Sequence, residues 1–102
     1  MVSMAADPEY RQEAGVIHGG AISALADTAA AYALIPRLEP GERMLGVEFK
    51  VNFLRPGVPG GLELLAGARV RKRGRTISVC DVEVMQGAKG IATGIFTYMS
   101  LR

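Results

Sequence analysis

The 102-residue chain has no tryptophan, one cysteine, one histidine, three phenylalanines and three tyrosines. A lone Cys80 excludes an intrachain disulfide, and one Cys with one His cannot supply a multi-ligand zinc site of the Cys/His kind, so no metal is expected. A reducing, cytoplasmic setting is expected. The few aromatics do not interleave with the basic residues, which argues against nucleic acid as a partner. The longest apolar stretch, Ala21 to Ile35, is broken by Ser23, Asp27 and Thr28 and falls short of the ~20 residues a membrane span needs. No basic segment followed by an apolar one opens the chain, because Asp7, Pro8, Glu9 and Arg11 interrupt its start, so no targeting signal is expected.

What remains is the composition of one globular domain, 49% hydrophobic and 22% charged. A chain this short buries roughly 65% of the surface its unfolded form exposes, a thin margin that oligomerisation would relieve. The net charge is only +2, yet Arg69, Arg71, Lys72, Arg73 and Arg75 fall within seven positions. Such a run is either a solvated hairpin turn that blunts a sheet edge or a loop that holds phosphates.

Periodicity gives the element order. Residues 2 to 6 read as a short strand that stops at Asp7-Pro8. Ile22, Leu25, Ala26, Ala29 and Ala33 recur at helical spacing in an alanine-rich run, predicting a helix from about His18 to Ile35 that Pro36 stops. So little side-chain bulk suits a helix lying very close to a sheet. After the polar loop Glu39-Pro40-Gly41-Glu42, the alternation of Val47, Phe49, Val51 and Phe53 predicts a half-buried strand. Leu62 to Val70 predicts another, Lys72-Arg73-Gly74-Arg75 a hairpin connection, and Thr76 to Met85 the returning strand. The mixed parity of that strand suggests a bulge near Val79 to Asp81. Gln86 to Gly90 reads as a turn and Ile91 to Leu101 as a final strand, with Gly94 marking a bend. Strand, long helix and four successive strands make an α+β fold, an antiparallel sheet carrying one helix on its face.

Two features of the helix bear on chemistry. Its start at His18-Gly19-Gly20 leaves backbone N–H groups without intrahelical partners and carries partial positive charge, which favours a polarised carbonyl or oxyanion. The glycines either admit a reacting group or simply let the chain turn into the helix and pack closely. Asp27, among Leu25, Ala26, Ala29 and Ala30, is either an exposed carboxylate on the solvent side, or one satisfied by a neighbouring hydroxyl such as Ser23 or Thr28, or a partly desolvated one able to act as general base or nucleophile. Gly19 and Asp27 are eight positions apart, about 12 Å along one helix, so one carbonyl cannot touch both. If the two cooperate, the carboxylate comes from a second, antiparallel copy of the helix across a two-fold axis.

As a set, His18-Gly19-Gly20, the acid nine positions after the histidine, the segment GVEFKVNFLRPG from Gly46 to Gly57 and the closing Ile91 to Tyr98 resemble the hotdog-fold acyl-CoA thioesterases, most closely the PaaI-like group named for phenylacetate degradation. The resemblance runs from about Ala14 to Leu101. It implies an antiparallel sheet wrapped around one long central helix, and a homodimer with shared active sites, often paired into a homotetramer. It also implies hydrolysis of an acyl-CoA, or an acyl-carrier-protein, thioester with no cofactor beyond the coenzyme A of the substrate. The amide of Gly19 would polarise the thioester carbonyl, and Asp27 of the partner subunit would activate water or attack directly. His18 and Gly20 would shape the helix entrance, and Arg55, Arg73, Gly74 and Arg75 are candidates for the nucleotide end of coenzyme A. Two positions depart from the pattern. Gln12 stands where family members often carry Asn, and Gly46 where many carry Ser or Thr beside the catalytic carboxylate. These departures motivate an alternative, a non-catalytic acyl-CoA-binding module. A hotdog hydratase ranks below both, because no His follows Asp27 on the helix.

Overall fold

The computed structural model describes residues 1–12 and 15–102, which leaves Ala14, the start of the resemblance, outside the described residues. Strand β1 (Val2–Met4) leads through a 3-10 turn at Pro8–Tyr10 to helix α1 (Gly19–Leu34). A second 3-10 turn, Ile35–Arg37, is followed by β2 (Arg43–Phe53), β3 (Leu64–Arg73), β4 (Ile77–Gln86) and β5 (Lys89–Leu101). The strands form one five-stranded sheet in the order β1-β3-β4-β5-β2, with every neighbouring pair antiparallel. The expected α+β architecture is the observed one.

Helix α1 buries Ile22, Leu25, Ala26, Ala29, Ala30 and Leu34. Opposite them the sheet contributes Leu64, Ala66, Cys80, Val82, Val84, Ile91, Ala92, Phe96 and Tyr98. The alanines bring the helix backbone so near that Ala30 is fully buried and the Cys80 thiol lies 3.8 Å from its carbonyl oxygen. Burial from water raises the Cys80 thiol above its ordinary range. Among the described residues no helix is long and apolar enough to cross a membrane.

Several boundaries differ from the periodicity. The first strand stops at Met4, and β2 begins at Arg43, four residues before Val47. Strand β3 begins at Leu64 and runs through Arg73, so the hairpin connection shrinks to residues 74–76. The turn after β4 is only Gly87-Ala88, with Gly87 at φ 60°.

The expected bulge in β4 is absent: Ser78, Cys80, Val82, Val84 and Gln86 point inward in strict alternation. The extra residue lies on the partner strand instead, between Val70 and Lys72, opposite Cys80 and Val79. Sequence parity misled because Ile77 and Val79 face outward while a polar Ser78 faces in. Gly94 marks no break in register. It permits close approach, since a Cβ there would lie 2.6 Å from the Lys50 carbonyl oxygen.

Strand β2 is the sheet's outer strand on one side, and it is not half-buried as its alternation predicts. Leu45, Val47, Phe49 and Phe53 are each about 50% exposed. The helix lies over the other strands and leaves this edge uncovered, with an irregularity in register between Gly46 and Glu48.

Candidate active site

The head of α1 is built by His18. Its backbone is extended (φ −63°, ψ 135°), and its Nδ1 accepts a hydrogen bond of 2.9 Å from the Gly20 N–H, so the imidazole is the N-cap. That bond assigns the lone pair to Nδ1 and, in the neutral ring, the proton to Nε2. The His18 N–H donates to the Tyr10 carbonyl and Ile17 N–H to the Gly57 carbonyl, which fixes the approach to the helix. With Gly20 capped, Gly19 holds the first helical N–H, and among the described residues no acceptor meets it. The Phe53 ring stands against Gly19 so closely that a Cβ there would be 3.1 Å from Cζ. Only glycine fits beneath that ring without displacing it.

Gln12, Ile17, Gly19, Phe53 and Arg55 line one open cavity of about 420 Å³. Arg55 reaches it from the end of β2, while its Nη1 donates to the Gly90 carbonyl at 3.0 Å. Gln12 comes from a local turn in which its N–H donates to Val16 and its carbonyl accepts from Gly15.

Asp27 lines a different cavity of about 340 Å³, with Gly46, Phe49, Phe96, Thr97 and Tyr98. Asp27 is exposed, as the solvent-side alternative expects and the desolvated one does not, and its carboxylate is not satisfied by Ser23 or Thr28. The Thr28 hydroxyl bonds back to the Ala24 carbonyl, and the partner of Asp27 is the Tyr98 hydroxyl, 2.5 Å from Oδ1. Phe49 and Phe96 wall the cavity edge to face, with centroids 5.2 Å apart.

The third group lies apart from both. Gly74, Arg73 and Arg75 share a basic cavity of about 360 Å³ with Arg37 and Arg102. Arg73 is committed to structure: its Nη2 meets Glu42 Oε1 at 2.5 Å, and its Nη1 donates to the Gly74 carbonyl and the Ser78 hydroxyl. Arg75 is exposed.

The fold thus gathers Gln12, Gly19 and Arg55, flanked by His18 and Gly20, and separates them from Asp27 and from the arginine loop. Sequence reasoning missed Tyr98 and Phe53. A tyrosine two positions from Phe96, on the same inward face of the last strand, was the available signal, because a buried phenol needs a polar partner. Among the described residues no three His, Cys, Asp or Glu side chains cluster as metal ligands do.

Residues 14–92 match the family model of the thioesterase superfamily. The chain belongs to the thioesterase superfamily. It is 40% identical over 68 residues to the acyl-coenzyme A thioesterase PaaI of Escherichia coli, a match covering 67% of this chain and 46% of that protein. The chain spans about half the length of the curated relatives it matches. Two solved structures cover 98% of this chain. The PaaI protein from the phenylacetic acid degradation operon of Escherichia coli superimposes with a TM-score of 0.88 at 31% identity, over 70% of its own chain. A thioesterase of Haemophilus influenzae gives 0.89 at 30%, over 69% of its own chain. A Bacillus halodurans protein solved with CoA shares the fold at a TM-score of 0.91 and 23% identity, covering 97% of this chain and 65% of its own. Within the thioesterase superfamily this member has the PaaI-like hotdog architecture, the curled antiparallel sheet with its long helix.

Proposed function

We propose that the chain hydrolyses an acyl-CoA thioester to the free acid and coenzyme A at two equivalent sites of a homodimer. The observation that carries this reading is the separation of Gly19 and Asp27 into two open cavities, with the exposed apolar edge of β2 bordering both. Neither cavity holds both an amide donor and a carboxylate. A two-fold axis perpendicular to β2, pairing it with an antiparallel copy, would bring the Asp27 cavity of one protomer to the Gly19 cavity of its partner, and it would cover Leu45, Val47, Phe49 and Phe53.

In such a site the thioester carbonyl accepts a hydrogen bond from the Gly19 N–H, strengthened by the helix dipole and by negative charge developing on oxygen. Asp27 of the partner subunit takes a proton from water as hydroxide adds to the carbonyl carbon. The tetrahedral intermediate then expels the thiolate, which regains the proton. In the alternative course Asp27 adds to the carbonyl itself, the thiolate leaves, and water hydrolyses the mixed anhydride. Gln12, beside Gly19, offers an amide to the carbonyl or the attacking water. His18 acts by capping, with its Nδ1 already bonded, and is not the base. Arg55 and the loop of Arg73, Gly74 and Arg75 remain the candidates for the nucleotide phosphates, and Arg75 has the freer guanidinium.

Thiol release from short, medium, long and aromatic acyl-CoA substrates, measured beside Asp27→Asn, tests the reading. Loss of the carboxylate lowers turnover by about 10²- to 10⁴-fold, and equal rates in the two proteins refute it. Acyl-CoA binding with no thiol release from the unaltered chain would identify a non-catalytic binding module instead.

A further inference from the structure

Tyr98 is 6% exposed, yet its hydroxyl extends from β5 to the exposed carboxylate of Asp27 on α1. The hydroxyl is 2.5 Å from Asp27 Oδ1 and 3.2 Å from the Asp27 main-chain carbonyl. These two contacts tie the phenol to the side chain and to the backbone of the same residue, so the carboxylate is held against its own helical turn. Among the described residues Tyr98 is the one side chain that bonds the Asp27 carboxylate. Gly46 stands opposite Tyr98 in the β2–β5 register and lines the same cavity. A Cβ at Gly46 would lie 3.7 Å from Cε1 of the Tyr98 ring. Burial first, and then the hydrogen bond and charge of Asp27, push the phenol upward from its ordinary range. It therefore stays protonated, and a protonated phenol facing a carboxylate is a donor.

We propose that Tyr98 is the positioning residue of Asp27: its hydroxyl holds Oδ1 and so turns Oδ2 toward the reacting carbonyl and water. This rests on the thioesterase reading above and adds a specific division of labour between the two carboxylate oxygens. Oδ2 carries the proton transfer or the attack, while Oδ1 keeps its donor through the cycle. Fixing one oxygen in this way removes rotation about χ2 of Asp27, and geometry at a reacting group is worth large rate factors.

In Tyr98→Phe the fold should persist, because Asp27 is solvated and loses one partner without being left buried. Turnover of acyl-CoA is expected to fall about 10- to 100-fold, with KM changed by less than about twofold. Two further replacements at position 98 separate positioning from packing. 4-Aminophenylalanine fills the place of the hydroxyl and can donate; 4-fluorophenylalanine fills it and cannot. The amino variant is expected to turn over within about threefold of the unaltered protein, and the fluoro variant to be as slow as Tyr98→Phe. Equal turnover in these two variants overturns the proposal. Asp27→Asn, run in parallel, separates the two levels. If it is inactive while Tyr98→Phe keeps full turnover, the positioning role fails and the thioesterase reading stands. If Asp27→Asn itself keeps full turnover, the reading on which the proposal rests has failed.

Discussion

Among the described residues Glu42 is the most deeply committed charge. Its side chain is 1% exposed, with Oε1 on Arg73 and on the Glu39 N–H, and Oε2 on the Ser100 hydroxyl at 2.6 Å and near Arg102. The Glu39 amide, the Ser100 hydroxyl and the two arginines hold its carboxyl down to about 2, against an ordinary 4.5. A carboxyl depressed in the folded state stabilises the protein above its unfolded value, and that contribution is lost as pH falls through the folded one. Glu42→Gln is therefore expected to lower the melting temperature at pH 7. The difference from the unaltered protein should shrink between about pH 4.5 and pH 2, as read from melting curves across that range. Sequence showed Glu42 only as part of a polar loop. The Glu39 N–H is a local partner, but Arg73 and Ser100 come from β3 and from the end of β5, 31 and 58 positions away, and nothing local announces that pairing. Asp27 was the reverse case: its place in an apolar helix was visible in the sequence, but its Tyr98 donor is 71 positions distant.

At the scale of the element, α1 shows what local sequence carries well. Alanine content, apolar spacing and Pro36 predict a helix from His18 to Ile35, and the observed span is Gly19–Leu34. The cap is separable from the packing. His18→Ala removes the acceptor for Gly20 and should cost about 0.5–2 kcal/mol in a urea titration, as loss of a capping side chain does. Ala30 carries the packing, with no exposed surface and Cys80 across from its carbonyl. Ala30→Val should destabilise by about 1–3 kcal/mol through overpacking, measured in the same way. Strands were less legible than the helix. A period of two reports two faces but not which of them is covered, so Ile77 and Val79 suggested a bulge in β4 that the fold places in β3.

For the whole molecule, the decisive feature is the order β1-β3-β4-β5-β2, which makes the eleven-residue β2 an outer strand with large apolar side chains exposed. Under the dimer reading, Val47→Lys would place a charge on that edge in both copies. It is expected to yield monomers in sedimentation velocity and to lose thiol release together with the dimer. A monomer that retained full turnover would refute sites shared between subunits. The same topology explains why candidate site residues scatter into three cavities on one chain. Gln12, Gly19 and Arg55 meet because β2 ends beside the start of α1. Asp27, two helical turns on, faces β5, and Arg75 sits at the opposite hairpin.

The sequence by itself determined the element order, the α+β class, the head of the helix and the acid eight residues along it, because these depend on local propensity and on residues close in the chain. It also carried the resemblance to the thioesterases, through short motifs whose chemistry is local. Tertiary structure alone decided that Tyr98 holds Asp27, that Phe53 lies over Gly19, that Glu42 binds arginines and that β2 stands uncovered. Each of these depends on which strands become neighbours, and hydrophobic period reports faces, not neighbours.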